Sequence, residues 1–335
     1  MAAWDSNVNR QSVISSDEED RATLASPRVL ELQGRQRMSG YWSVNTANRS
    51  SMTSNILEAQ IEAADQEETA TVEGPQATIS TPFQGRRNSL NKEAMSPAPQ
   101  GEKILCRIVR RKEPGMQTRY DLYREDGQFG TTFMLSAYRK RRGKGSYYVI
   151  TTSQNPSPTE TILGKVKSNF IGTQFTIYDN GASQEKNADK ELRQELGSVF
   201  YDPNILGFKG PRKMTVLLMG MTKEGKRPEF RPSCDSETLV EKYHAQNDNR
   251  LLVLRNKAPQ WNEETQSYVL NFSGRVTLAS VKNFQIVHSS DLDYIVLQFG
   301  RIAESTFTLD YQYPLCPLQA FAIALSSFDA KLACE

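Results

Sequence analysis

Two histidines in 335 residues, and no H-E-x-x-H, G-x-S-x-G or Walker loop, leave little from which to build an enzyme. Catalysis needs an activated nucleophile, an acid–base pair or a metal, and His244 and His288 stand far apart in the chain. Carboxylates are plentiful but no pair stands out by spacing, so no catalytic residue, metal ligand or cofactor is assigned. The four cysteines, Cys106, Cys234, Cys316 and Cys334, are widely spaced without a C-x-x-C pair. That argues against a disulfide framework or a zinc module and implies free thiols in the cytosol or nucleus. The start, MAAWDSNVNRQ, shows no apolar stretch behind a basic one, and no run of about 18 apolar residues occurs. Neither secretion nor a membrane-spanning helix is expected.

What the chain does contain is divided unevenly. Residues 1–100 hold 9 basic and 13 acidic side chains against 32 and 26 in the rest, and only Trp4, Tyr41, Trp42 and Phe83 of its aromatics. A stretch so poor in large apolar groups and rich in Ser, Thr, Gln, Asn and Glu does not offset the entropy lost on ordering, so residues 1–100 read as a disordered regulatory or partner-binding tail. Two short helices are conceivable within it, near Ser26 to Met38 and Asn55 to Glu68, each either frayed and solvated or a docking segment for a partner. Ser15 and Ser16, before an Asp-Glu-Glu-Asp run, and Ser89, after Arg86-Arg87-Asn88, match acidophilic and basophilic kinase sites.

From residue 101 to residue 335 the pattern is short β-branched and aromatic runs, among them ILCRIVR, SYYVITT, QFTIYDNG, KMTVLLMG and YIVLQFG, broken by Asp126-Gly127, Asn180-Gly181 and Ser273-Gly274 turns. About a dozen such runs without helical periods predict an all-β barrel or sandwich. The last segment, PLCPLQAFAIALSSFDAKLACE, breaks the pattern. Opened by Pro317, it is apolar on nearly every face, so it must be buried all round. With only strands to bury it, the solution is a mainly β fold, a barrel closed around a central C-terminal helix.

Two basic clusters stand out. Arg139, Lys140, Arg141, Arg142 and Lys144 fall between two predicted strands and are expected in a solvent-facing loop, open to three readings: a solvated loop, a nuclear-import signal or part of an anion-binding face. In GKVKSN, Lys165 and Lys167 are two apart, which on a strand sets both ammonium groups on one face. Lys209, Arg212, Lys213 and Arg231 add positive charge; most are expected to be solvated, with Arg212 and Lys213 as helpers.

The run from SYVLNFSGRV to KLACE, with NILGFKGPRKM and YRED, resembles the C-terminal signature of the tubby and tubby-like family over residues 101–335. The resemblance implies a twelve-stranded barrel around the hydrophobic C-terminal helix, and binding of phosphatidylinositol 4,5-bisphosphate through Lys165, Lys167 and Arg193. Two positions depart from the family pattern. Lys167 stands where arginine is usual, and Tyr147 takes the place of an asparagine that contacts the headgroup. Charge is kept while hydrogen-bond geometry changes, so weaker discrimination among phosphoinositide isomers is expected. Phosphate at Ser89 is expected to place negative charge close to the basic surface. The family further implies a monomeric, non-enzymatic adaptor at the inner face of the plasma membrane or the cilium, joining receptor cargo to the intraflagellar transport A complex. A nuclear regulator that leaves the membrane on lipid hydrolysis and contacts nucleic acid is the alternative.

Overall fold

Alternating residues give each strand one face for the interior and one for water, and in the computed structural model that alternation closes a ring. The structure describes residues 12–14, 82–112, 117–142, 145–154, 162–182, 191–202, 213–246, 250–264 and 267–329. The strands are β1 (Ser12–Ile14), β2 (Lys103–Ile104), β3 (Cys106–Arg111), β4 (Arg119–Glu125), β5 (Thr131–Arg142), β6 (Gly145–Thr151), β7 (Ile162–Ser168) and β8 (Gln174–Asp179). They continue as β9 (Glu195–Tyr201), β10 (Met214–Met219), β11 (Leu251–Asn256), β12 (Gln260–Asn262), β13 (Ser267–Leu270), β14 (Phe284–His288), β15 (Asp291–Arg301) and β16 (Thr306–Gln312). The helices are α1 (Pro82–Met95), α2 (Leu239–His244) and α3 (Pro317–Asp329).

Pairing runs β15, β14, β11, β10, β9, β8, β7, β6, β5, β4, β3, β16, and the pairing of β16 with β15 closes the circle. Among the described residues this is a barrel of twelve antiparallel strands, with β2 extending the β3 edge on β16 and β1, β13 and β12 forming a small separate sheet. Closure leaves no unpaired edge in the ring. The barrel around a C-terminal helix is therefore as the residues predicted.

Helix α3 has 13 residues, about 20 Å at 1.5 Å per residue, and fills the interior. All of its side chains are buried except Phe328, which is partly so. Its few polar groups are satisfied inside the barrel. Gln319 Nε2 donates to the Leu196 carbonyl at 2.8 Å, and the hydroxyls of Tyr201 and Ser326 lie 2.8 Å apart. Phe328 closes the far end among Tyr120, Phe307 and Phe299, at ring-centroid distances of 4.7, 5.0 and 5.6 Å. One wall approaches the helix so closely that it requires glycine. A Cβ on Gly164 in β7 would stand 2.7 Å from the Tyr178 carbonyl oxygen and 3.0 Å from Leu318 Cδ1.

Ahead of the strands, α1 lends the core Met95, Ala94 and, just beyond it, Ala98, whose N–H donates to the Leu315 carbonyl at 2.9 Å. Packing of the barrel thus begins ahead of residue 101, where the composition changes. Two alanines and a methionine in a polar stretch carry too little apolar surface to mark this in the sequence. The two candidate tail helices, with Ser15 and Ser16, lie outside the described residues. Cys106 and Cys316 are buried free thiols, and burial pushes both upward, Cys106 well above the usual thiol range, which makes them poor nucleophiles. No helix among the described residues is long and apolar enough to cross a membrane.

Candidate functional site

In β7, Leu163 and Val166 enter the core while Lys165 and Lys167 stand half-buried on the outer wall, the shared face that their spacing predicts. Register carries that face sideways. Tyr147 of β6 lies opposite Lys167 on one side and Lys140 of β5 on the other, so Lys140, Tyr147 and Lys167 form a row across three strands. Lys165 lies opposite Tyr178 of β8.

Tyr178 is the residue that the sequence reading missed. The residue is only 9% exposed although it lies outside the main core, and two cations stand close to its ring. The Arg193 guanidinium carbon sits 4.0 Å from its centroid and Lys167 Nζ 6.0 Å. Residues far apart in the chain therefore gather at one aromatic ring, whose π faces attract positive charge. An aromatic just before an Asn-Gly turn was the available signal, but it is equally typical of any strand end.

The segment bearing Arg193 is itself pinned. Its N–H donates to the Ala182 carbonyl at 2.8 Å, and Asp179 Oδ1 accepts from the N–H groups of Gly181 and Gln194, both at 2.8 Å. Arg231 was expected in water; instead it clamps this turn. Its guanidinium meets Asp179 at 3.2 Å, Glu191 at 2.9 Å and Glu229 at 3.2 Å, and donates to the Leu192 carbonyl. The cation it supplies is used within the fold, and its effect is to fix the loop from which Arg193 reaches Tyr178.

The hairpin cluster also needs correction. Residues 139–142 are not loop but the end of β5, whose ladder with β6 runs on to Arg142 opposite Gly145. A run of four cations shows no hydrophobic alternation, which hid the strand. Arg139 turns inward, its Nε 3.0 Å from Asp329 Oδ2 at the end of α3, while Lys140 lies over Tyr138 with Nζ 5.9 Å from the centroid. The backbones of Arg141 and Arg142 continue the strand; their side chains, Lys144 and Arg212 lie outside the described residues. Lys213 is exposed just before β10, three strands along from β7 and at the same end of the barrel by register.

Ser89 is exposed on α1, and this helix docks at the other end of β6, where Thr152 Oγ1 donates to Asn91 Oδ1 at 3.3 Å. Five residues of strand separate Thr152 from Tyr147, about 17 Å at 3.4 Å per residue and beyond a Debye length of about 8 Å. The Asn91 contact of α1 thus stands toward the end of β6 away from Tyr147.

Beneath the site, Glu195 is buried, its carboxylate accepting from Ser198 Oγ at 3.0 Å and from the Leu239 N–H at 3.2 Å. Burial raises its pKa from 4.5 to about 7, against the lowering effect of those hydrogen bonds and of Arg193. The folded state thus keeps a proton that the unfolded chain releases near pH 4.5, so stability is greatest below 4.5 and falls as pH rises through 7, by up to about 3 kcal/mol. Glu195→Gln, whose amide serves both partners with the Ser198 hydroxyl now accepting, is expected to remove that slope and to be the more stable form at pH 8. Urea unfolding at pH 5 and pH 8 measures this; equal slopes in both proteins would refute it.

Sequence comparisons place the barrel and its helix within one family. The Tub family model matches residues 94–330. Tubby-related protein 3 of Mus musculus is 47% identical over 260 residues, covering 75% of this chain and 56% of that protein. Tubby-related protein 3 of Homo sapiens is 42% identical over 337 aligned positions, 97% of this chain and 76% of its own length. Protein king tubby of Drosophila pseudoobscura pseudoobscura is 46% identical over 253 residues, 74% of this chain and 55% of the fly protein. The chain spans about half the length of the mouse and fly relatives. Since the family model takes in both the helix that fills the barrel and the wall that carries the cations, the chain belongs to the Tub family.

Proposed function

We propose that this protein is a non-enzymatic membrane adaptor that holds the headgroup of phosphatidylinositol 4,5-bisphosphate at Lys165, Lys167 and Arg193, with Tyr147 and Lys140 beside them. The observation that carries the reading is the meeting of Lys167 and Arg193 over the Tyr178 ring, with Lys165 in register beside it. A headgroup with several negative charges rewards converging cations, and rewards them more when strand and ring have already restricted their motion.

In this reading the barrel docks reversibly on the inner leaflet of the plasma membrane, while the tail binds a partner. Delivery of receptor cargo to cilia through the intraflagellar transport A complex is the trafficking role that the family resemblance suggests.

The test is co-sedimentation of the full chain with phosphatidylcholine vesicles, with and without the bisphosphate lipid, over a salt series. Each cation near an anionic surface contributes about 1 kcal/mol, so Lys165→Ala, Lys167→Ala and Arg193→Ala together are expected to weaken binding about a hundredfold. Lipid-independent binding, or a triple variant that binds as well as the unaltered chain, would overturn the reading.

A further inference from the structure

The turn that joins β7 to β8 follows directly from the strand of Lys165 and Lys167, and it carries two large apolar side chains that are each about half exposed. Phe170 is 53% exposed and Ile171 49%, the only consecutive pair of exposed large apolar residues among the described ones. Single exposed apolar residues are ordinary; two together at a hairpin tip, where polar turn residues are the rule, are not.

The tip is also held rigid. Asn169 N–H donates to the Gln174 carbonyl at 2.8 Å, and Asn169 Oδ1 accepts from the N–H groups of Thr173 at 2.9 Å and Gln174 at 3.1 Å. Gly172 turns the chain with φ +70, and a Cβ there would come 3.2 Å from the Asp329 carbonyl oxygen. Both ends of the turn are thus tied to the barrel, Thr173 through its carbonyl to the Tyr201 N–H at 2.8 Å, and Phe170 and Ile171 stand out between them.

Position decides what the tip meets. Register places the Ser168 end of β7 beside the Tyr147 end of β6 and the Lys140 end of β5, so the apolar tip and the cation row share one end of the barrel. We infer that Phe170 and Ile171 form a wedge that enters the apolar boundary of an anionic lipid membrane while the neighbouring cations hold its headgroups. Apolar groups flanked by cations suit that interface, where the chains lie just beneath a negative surface. Phe129 provides the contrast. At 94% it is more exposed than either, but it sits at the opposite end of β5, away from the row of Lys140, Tyr147 and Lys167.

This inference rests on the lipid-binding reading, and the experiment separates the two. In a full chain with Trp4→Phe, Trp42→Phe and Trp261→Phe, Phe170→Trp reports depth by fluorescence with bisphosphate-containing phosphatidylcholine vesicles whose chains are brominated. Quenching on binding is expected. Binding without quenching overturns the wedge and leaves the headgroup site standing; no binding by the unaltered chain overturns both.

Phe170→Ser with Ile171→Ser is expected to weaken vesicle binding about tenfold, from the apolar area no longer buried, and the loss persists at high salt because apolar burial is not screened. Affinity for the soluble inositol trisphosphate headgroup stays unchanged in that variant, and Phe129→Ser binds vesicles like the unaltered chain. A loss that also appears with the soluble headgroup would mean that the tip shapes the headgroup site instead of entering lipid, and would overturn the wedge.

Discussion

Phe321→Ala is expected to destabilise the barrel by about 4 to 5 kcal/mol, the upper part of the range for removing a buried phenylalanine. Phe321 lies on α3 and is fully buried in the main core. The cost of such a change depends on how far the surroundings collapse into the space. Here they are strands of a closed ring, whose circumference is set by strand number and register, so the wall cannot follow the missing ring inward. For a domain of this size the loss corresponds to a fall in Tm of about 10 to 15 °C. Urea unfolding of the two proteins measures it, and an unchanged m-value would show that the barrel itself is retained. A loss below about 2 kcal/mol would mean that the ring does collapse around the helix.

Arg275→Met is expected to destabilise by about 3 to 5 kcal/mol, because it strands a buried negative charge. The Asp310 side chain is fully buried and takes both arms of the Arg275 guanidinium, at 2.6 and 2.9 Å. A third guanidinium contact reaches Glu125 at 2.7 Å, and Gln298 Nε2 donates to Asp310 Oδ2 at 2.9 Å, with Gln285 behind it at 3.1 Å. Those bonds, that to Asp310 foremost, hold the Arg275 pKa well above its ordinary value, so the guanidinium keeps its proton. Adding Asp310→Asn to Arg275→Met removes the stranded charge and is expected to recover more than half of the loss. If the double variant were no better than the single one, the loss would come from the packing of the guanidinium stem and not from the charge.

These two positions differ in how visible they were. The residues around Phe321 carry the strongest signal in the chain, since a helix apolar on every face has one physical solution in a protein otherwise made of strands. Arg275 and Asp310 gave no signal at all, because an Arg after Ser-Gly and an Asp in TFTLDY look like any surface pair until β16 meets the turn after β13. The candidate site shows the same division. Lys165 and Lys167 were legible from their spacing alone, whereas Arg193 entered by family resemblance, Tyr178 was not seen, and Arg139 and Arg231 were read as solvated although both are spent on carboxylates of the fold.

Periodicity is local. Within one strand or one helix it is enforced by backbone geometry, so the sequence alone determined that this chain makes strands in succession, that its last helix is buried on all sides, and that two lysines share a face. Which cation meets which aromatic or carboxylate depends on register between strands and on where the connections return. Those follow from closing twelve strands around a helix of fixed girth, a condition that the whole barrel satisfies at once and no single segment records. Only the tertiary structure could therefore bring Arg193 and Lys167 to the Tyr178 ring, turn Arg139 inward to Asp329, and leave Phe170 and Ile171 standing beside the cations.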